Sequence, residues 1–225
     1  MGTKGLGMPV EKLKVFLRKK KPPKTATCET CKNRKRKLQV QTEAAEWFKG
    51  PFCILDTETT GLDENAQIIE IAVIDEEGKT LLDTLVKPPC SIPAESTAIH
   101  GLSDNDVENA PLFDEVYPQL LEATKERKII IYNSEYDNRL IKQSLKTKDN
   151  LQSFSQLMEQ SDYCLMNLFA RFYGQKNDSG NFRWKSLSFA ADFFDVPVIG
   201  AHRALADCLM TLGVLKNLAT LETYS

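Results

Sequence analysis

The chain has 225 residues, of which 42% are hydrophobic and 27% are charged, as in ordinary globular proteins. This length predicts one substantial domain plus an appendage. No run approaches the roughly 18 to 20 apolar residues that span a bilayer, and no apolar stretch near the N-terminus precedes a small-residue cleavage site. The six cysteines are scattered, which suits reduced thiols better than a disulfide framework. We therefore expect a cytoplasmic protein without a membrane partner.

Positive charge is concentrated in the first 50 residues. They carry 14 Lys and Arg against 4 Glu, a balance of +10, and the other 15 basic and 27 acidic residues leave the rest of the chain at −12. Pro22 and Pro23 interrupt any helix there, and the basic runs lack core-forming residues. We predict a basic, flexible N-terminal arm over residues 1–48. It is a solvated tail, a contact for nucleic-acid phosphates, or a contact for a protein or membrane surface.

The arm contains a single Cys-x-x-Cys pair, Cys28 and Cys31. A structural zinc site usually needs four Cys or His ligands, and the other half is missing from the arm. Zinc shared across a dimer and a redox role are the alternatives, and we favour neither.

Hydrophobic periodicity and turn residues divide the remaining chain, residues 49–225, into alternating elements. Predicted strands cover 52–56, 68–74, 81–86 and 128–132, with a hairpin turn at 75–79 between the second and third. Predicted helices cover 112–126, a segment from about 135, and 151–160, 164–173, 184–194 and 203–219. Hairpin strands followed by strand and helix alternation indicate an α/β fold, a mixed sheet flanked by helices.

Two acidic residues follow the first predicted strand. Asp56 and Glu58 are two positions apart, so their side chains point to the same side of the sheet. The Thr59-Thr60-Gly61 turn offers backbone amides, and its glycine lets a nucleotide approach closely. An Asp-x-Glu pair alone is weak, because Asp104 and Asp106 form a similar spacing that we interpret as helix capping. The place directly after an apolar strand favours the first pair.

Three further candidates lie in the second half of the chain. Ser134-x-x-Asp137 has the shape of a helix capping box, which is the favoured interpretation of Asp137 taken alone. His202 and Asp207 are five positions apart, roughly 140° around a helix, so they cannot share a helical face. We therefore place His202 in the loop before the last helix and Asp207 one turn inside it. A lone histidine is more often structural than catalytic.

Four carboxylates from three separated segments would repel one another if they converged in a poorly solvated place. Bound cations remove that conflict, and hard oxygen ligands select Mg²⁺ or Mn²⁺. Two such ions roughly 3.5 to 4 Å apart can stabilise the attacking and leaving oxygens of phosphodiester cleavage. The four acids therefore indicate a nuclease site with two metal ions.

The three segments together resemble the DnaQ-like 3′-to-5′ exonucleases of the Asp-Glu-Asp-Asp-His subclass. The first motif is Asp56-Thr57-Glu58-Thr59-Thr60-Gly61-Leu62, the third is His202-Arg203-Ala204-Leu205-Ala206-Asp207, and both are highly specific. The middle motif departs mildly, with Ser134-Glu135-Tyr136 where Ala-x-Phe is commoner. The resemblance runs from Phe52 to about Leu218 and leaves out the arm.

The resemblance implies an RNase H-like fold and a role for each residue of the site. Asp56 would contact both ions, Glu58 and Asp207 the ion that activates water, and Asp137 the second ion. His202 would accept the proton of the water, because an imidazole titrates near neutral pH.

The resemblance also implies substrate contacts near the metal site. The expected contact residues are Thr57, Thr59, Thr60, Gly61, Leu62, His100 and Asn133. Trp184 and Lys185 could stack on a base and contact phosphate, although such a tryptophan more often anchors a helix to the core.

We therefore expect an exonuclease that releases nucleoside 5′-monophosphates from the 3′ end of single-stranded DNA or RNA. The alternatives are a proofreading subunit of a DNA polymerase complex, recruited through the arm, and a non-catalytic nucleic-acid-binding module.

Overall fold

The computed structural model describes residues 28–161 and 163–220. Five strands form one mixed sheet in the order β3-β2-β1-β4-β5. Strands β1 to β3 are antiparallel, and β4 is parallel to both β1 and β5. The strands are β1 (Phe52–Thr59), β2 (Ile68–Asp75), β3 (Thr80–Leu85), β4 (Lys128–Ile131) and β5 (Tyr163–Cys164).

The described helices lie on both faces of this sheet. They are α1 (Cys28–Trp47), α2 (Ala94–His100), α3 (Asp104–Val107), α4 (Phe113–Thr124), α5 (Ser134–Ser144), α6 (Lys148–Gln160), α7 (Leu165–Tyr173), α8 (Leu187–Phe193) and α9 (Ala204–Thr220). The predicted α/β class, a mixed sheet flanked by helices, is confirmed. Among the described helices, none combines the length and the apolar character that a membrane crossing needs.

The alternation of β1 divides the core into two clusters. Phe52 and Ile54 point to the cluster that contains residues of α1, α7, α8 and α9, whereas Cys53 and Leu55 point to the cluster under α4 and α5. Successive side chains of a strand point to opposite faces, so Asp56 continues the first row. The acidic end of β1 therefore opens on the α9 face.

Helix α1 corrects the prediction of a flexible arm over residues 1–48. Val40, Ala44 and Trp47 are buried in the core cluster, and the helix packs against α7 and α9. They are separated by four and three residues, so they lie on one face of the helix. The many basic residues around them hid this apolar face in the sequence. The prediction is therefore wrong for residues 28–47. Residues 1–27 lie outside the described part.

Two smaller predictions also change. The two-residue strand β5 was not predicted, because so short a segment carries no periodic signal. Helix α8 begins at Leu187 rather than near residue 184, because the Ser186 side chain caps it by accepting a hydrogen bond from the Phe189 amide.

Candidate active site

Three carboxylates converge at the end of β1. Asp56 and Glu58 project from the strand, and Asp207 comes from the first turn of α9. Ligand oxygens of the three residues all lie within 4.8 Å of one another, and each residue is half-buried. It is the only group of this kind found in the described part of the chain. Its all-oxygen donor set suits a hard divalent cation.

His202 lies in the loop directly before α9, as predicted. Its side chain is exposed, and its backbone amide donates a hydrogen bond to Asp207 Oδ1 at 3.2 Å. The backbone of His202 is left-handed, with φ 65°. A residue other than glycine pays roughly 1 to 3 kcal/mol for such a conformation, and strain of this kind concentrates at functional sites. The loop therefore fixes His202 and Asp207 relative to each other.

Asp137 is buried, with 4% of its surface exposed, on the inner side of α5. The Thr57 hydroxyl donates a hydrogen bond to Asp137 Oδ1 at 2.8 Å. The N-cap of α5 is Asn133, and Ser134 is already helical, so the capping-box interpretation of Asp137 is wrong. Because Thr57 lies between Asp56 and Glu58, this bond ties Asp137 to the acidic end of β1.

Burial and neighbouring negative charges disfavour the ionisation of the four acids. Burial raises the pKa of Asp56 well above its usual range, with further contributions from the charges of Asp137 and Asp207. Burial and the Asp207 charge raise the pKa of Glu58 to about 8. Burial raises the pKa of Asp137 to about 7 against the opposing Thr57 hydrogen bond, and burial raises the pKa of Asp207 as well. Cations at this site would replace the protons that the carboxyl groups otherwise retain.

Glu70 is a residue of the site region that the sequence reasoning missed. It lies opposite Glu58 in the β1–β2 register and is 3% exposed. Arg203 contacts it through Nη2 at 2.6 Å and Nε at 3.1 Å, and the Ala204 amide donates to it at 2.9 Å. This clamp holds the N-terminus of α9, and hence Asp207, against β2. An acid within the otherwise apolar run of β2 was the available signal.

The predicted contact threonines are engaged inside the protein. Thr57 bonds to Asp137, Thr59 donates to the Gly61 carbonyl at 2.9 Å, and the Thr60 hydroxyl accepts the Gln67 amide at 3.0 Å. All three side chains are buried. Their hydroxyls shape the strand end and the turn, and contact of these residues with substrate stays a prediction.

The other predicted contacts differ in exposure. Leu62 is 81% exposed beside the turn, and Asn133 is half-buried at the start of α5. His100 is buried: its Nδ1 accepts the Leu102 amide at 3.0 Å, and its Nε2 has no hydrogen-bond partner among the described residues. Burial lowers the pKa of His100. Leu62 is thus the most accessible apolar contact of the predicted set.

Trp184 does not anchor a helix to the core, which corrects the favoured interpretation of this residue. Its side chain is 69% exposed, in the segment that precedes α8. The neighbouring Lys185 is held in place, because its Nζ donates to Gln175 Oε1 at 2.6 Å and lies 5.0 Å from the centre of the Tyr173 ring.

This fold and this acidic site define a nuclease of the RNase H-like class. A family model described as RNase_T, Exonuclease, matches residues 53–215. The chain belongs to this exonuclease family, of DnaQ-like and RNase H-like type, and is therefore an exonuclease.

Particular relatives agree with the family. The chain is 40% identical over 182 residues to "Uncharacterized exonuclease CP81" of Escherichia phage 186, covering 80% of this chain and 94% of that one. It is 30% identical over 189 residues to DNA polymerase III subunit epsilon of Rickettsia conorii, covering 74% and 81%. A solved structure of Exonuclease X in complex with 5′ overhanging duplex DNA superposes with a TM-score of 0.55 at 23% identity, covering 77% and 94%.

Proposed function

We propose that the protein removes nucleotides one at a time from the 3′ end of single-stranded DNA or RNA and releases nucleoside 5′-monophosphates. The observation that carries the proposal is the convergence of Asp56, Glu58 and Asp207 within 4.8 Å, with Asp137 tied to the same strand end. Acids so close together and so poorly solvated are costly to a fold unless cations use them.

The cofactors are two Mg²⁺ or Mn²⁺ ions. Following the family resemblance, Asp56 would help to hold both ions, Glu58 and Asp207 would hold one, and Asp137 would help to hold the other. When bound, the ions lower the pKa of a water molecule and offset the negative charge that develops on the phosphate. The carboxylates fit this role because their donor atoms are all oxygens. Their negative charges also repel one another, and bound cations would offset that repulsion.

The chain's own groups perform the remaining tasks. The His202 imidazole accepts the proton of the attacking water, and its exposed position in the loop before α9 supports that role. The hydrogen bond from the His202 backbone amide to Asp207 Oδ1 fixes the position of the base relative to the acid. Leu62 packs against the terminal base or sugar, for which its 81% exposure leaves room.

Association with a polymerase is the second candidate function. The relative from Rickettsia conorii is named as a polymerase III epsilon subunit and is covered over 81% of its length. A proofreading role is therefore retained as the alternative. The non-catalytic alternative is disfavoured, because all five positions of the motif set are filled. A cytoplasmic location stays a prediction.

The test follows shortening of 5′-labelled 20-nucleotide strands of DNA and RNA on sequencing gels, with Mg²⁺, with Mn²⁺ and with a chelator. Exonuclease X was solved with 5′-overhanging duplex, so a recessed 3′ end is a further substrate arm. We expect a one-nucleotide ladder that requires metal and disappears in Asp56→Ala. The matched control Asp149→Ala, an exposed acid of α6, keeps wild-type activity. Absence of shortening on every substrate and metal would refute the proposal.

A further inference from the structure

An open cleft lies between the first half of α1 and the segment that follows α7. Its volume is about 720 Å³. The lining residues that matter are Glu29, Lys32 and Arg36 from α1, and Tyr173, Lys176 and Phe182 from the other side. Lys176 and Phe182 pair across an isolated antiparallel bridge, so the second wall is an ordered hairpin. The family match begins at residue 53, so α1 lies before the matched region.

The cleft holds more cations than its own acids neutralise. Glu29 is the one carboxylate among its lining residues, against Lys32, Arg36 and Lys176. None of these three cations has an ion-pair partner within residues 28–161 and 163–220. Lys32 and Lys176 are exposed. The positive charge therefore faces solvent, where it can meet an anionic ligand.

Arg36 is held in place by the shape of the opposite wall. A Cβ atom at Gly174 would overlap the Arg36 guanidinium, and Gly174 has a left-handed backbone, with φ 83°. Glycine at this position therefore satisfies the turn and leaves room for the arginine. Arg36 Nη1 donates to Asn33 Oδ1 at 2.8 Å, while its Nε is buried without a partner among the described residues. The guanidinium is an ordered donor group rather than a loose surface charge.

Two of these cations lie over one aromatic ring, and a second ring is exposed nearby. The Arg36 guanidinium and the Lys176 ammonium lie 5.4 Å and 5.3 Å from the centre of the Phe182 ring. Two residues further along the chain, Trp184 exposes 69% of its surface. Basic groups that follow a phosphate backbone, together with rings that stack on bases, are the features that single-strand-binding proteins use. Base stacking on Trp184 is a contact that a nucleic acid can make and a polyanion without bases cannot.

The segment with these rings is tied to the edge of the active site. The Tyr132 hydroxyl lies 3.0 Å from the carbonyl oxygens of Lys185 and Ser186. Leu55 and Ile131 are the last pair of the parallel β1–β4 register, so Asp56 and Tyr132 are the residues that directly follow this pair in the two segments. Adjacent strands are roughly 4.8 Å apart. Tyr132 shares the core cluster of Ile54, on the face to which Asp56 also points.

The geometry points to a second binding site for the substrate: the cleft binds the backbone of a single strand whose 3′ end occupies the active site, and Trp184 stacks on one of its bases. This inference rests on the proposed exonuclease function. It gives the basic residues of α1 a role in phosphate contact, which was one of the three roles that their charge alone left open.

Binding is measured without hydrolysis, by fluorescence anisotropy of a 5′-labelled 20-nucleotide single strand in chelator. Lys32→Ala/Lys176→Ala removes two exposed phosphate contacts. For single strands each contact contributes about 0.7 to the salt slope, so the slope should fall by about 1.4 and the affinity at 0.1 M salt by about 25-fold. The matched control Lys125→Ala/Lys216→Ala makes the same change of net charge outside the cleft and should bind like wild type. Equal binding of the cleft variant and wild type, or an equal loss in the control, would overturn the inference.

Trp184→Ala tests the identity of the ligand. It should weaken binding of the 20-nucleotide strand by about tenfold, within the range of one lost base stack, and leave binding of heparin, a polyanion without bases, unchanged. Undiminished affinity for the oligonucleotide, or preferential binding of the wild type to anionic vesicles, would contradict a single-strand site.

A length comparison separates this inference from the proposed function. With Mg²⁺ present, Lys32→Ala/Lys176→Ala should hydrolyse a trinucleotide at the wild-type rate and the 20-nucleotide strand more slowly at low concentration. If the wild type hydrolyses neither substrate, the proposed function fails. The anisotropy measurement in chelator then still tests whether the cleft binds single strands. If both lengths are affected equally, the cleft is part of the active site and the inference is wrong.

Discussion

The acidic end of β1 and the basic cleft beside α1 solve opposite electrostatic problems with one chain. At β1, burial raises the pKa values of four carboxyl groups, and neighbouring negative charges raise them further, so ionisation is resisted. In the cleft, Lys32 and Lys176 are exposed, and the Arg36 guanidinium and the Lys176 ammonium both lie over the Phe182 ring. The acidic site therefore calls for bound cations, whereas the cleft already presents positive charge to solvent.

The largest expected effect comes from breaking the acidic site. Asp137→Asn keeps an oxygen that can accept the Thr57 hydrogen bond, so the fold should survive. The loss of one anionic ligand should lower the single-turnover rate by about 10³-fold, roughly 4 kcal/mol of transition-state stabilisation. Rapid-quench kinetics at saturating enzyme measures this, and binding in chelator should be unchanged. A variant with more than a tenth of the wild-type rate would remove Asp137 from the metal site.

The second effect concerns α1, which joins the cleft to the core. Trp47 is buried and packs edge-to-face on Tyr163, with ring centres 5.4 Å apart. Trp47→Ala should lower the free energy of unfolding by about 3 kcal/mol, measured by urea denaturation. A deletion that ends at residue 45 should also destabilise the protein, because it removes Val40 and Ala44 from the core.

A deletion of residues 1–27, which removes no described core residue, is the control for both changes. If Trp47→Ala and the longer deletion unfold at the same urea concentration as this control, α1 is not part of the folded body.

The third effect sharpens how the acidic site is held together. Glu70→Gln weakens the clamp on Arg203 and the α9 N-terminus. Because Glu70 is buried but Arg203 is about half exposed, we expect a loss of about 2 kcal/mol in unfolding free energy rather than the full value of a buried pair. The exonuclease rate should fall as Asp207 shifts. Glu77→Gln, on the exposed β2–β3 turn, is the control, and identical melting curves for the two variants would refute the clamp.

The smallest effect is a dependence of stability on pH. The pKa of Glu58, about 8, and that of Asp137, about 7, lie above the values of the unfolded chain. The folded state therefore retains protons that the unfolded state releases, so metal-free stability is full at about pH 4 and declines as the pH rises towards 8. We expect the melting temperature in chelator to fall by a few degrees over this range, and Mg²⁺ to reverse the fall. A metal-free melting temperature that rises with pH would show that these acids are not strained.

The sequence allowed more of the acidic site to be predicted than of the cleft, for physical reasons. Asp56, Glu58 and Asp207 follow strict strand and helix geometry, so their faces could be assigned from spacing. Asp137 was ambiguous, because a capping acid and a buried ligand occupy the same helical position until the Thr57 contact is known.

The parts that escaped prediction depend on long-range packing. Val40, Ala44 and Trp47 are too few apolar residues to stand out among lysines and arginines, and only their burial against α7 and α9 identifies α1 as core. The clamp of Glu70 on Arg203 spans 133 positions of sequence, which no local pattern reports. The exposure of Trp184 could not be predicted, because it depends on α8 beginning only after the cap at Ser186.

The left-handed backbone of His202 determines how its imidazole should be probed. Alanine would remove the ring and also favour a different loop shape, which would move the amide that holds Asp207. Asparagine adopts positive φ more readily than most residues, so His202→Asn removes the imidazole ring while preserving the loop. A rate loss shared by both substitutions would measure the contribution of the imidazole, and any excess loss in His202→Ala would measure the contribution of the loop geometry.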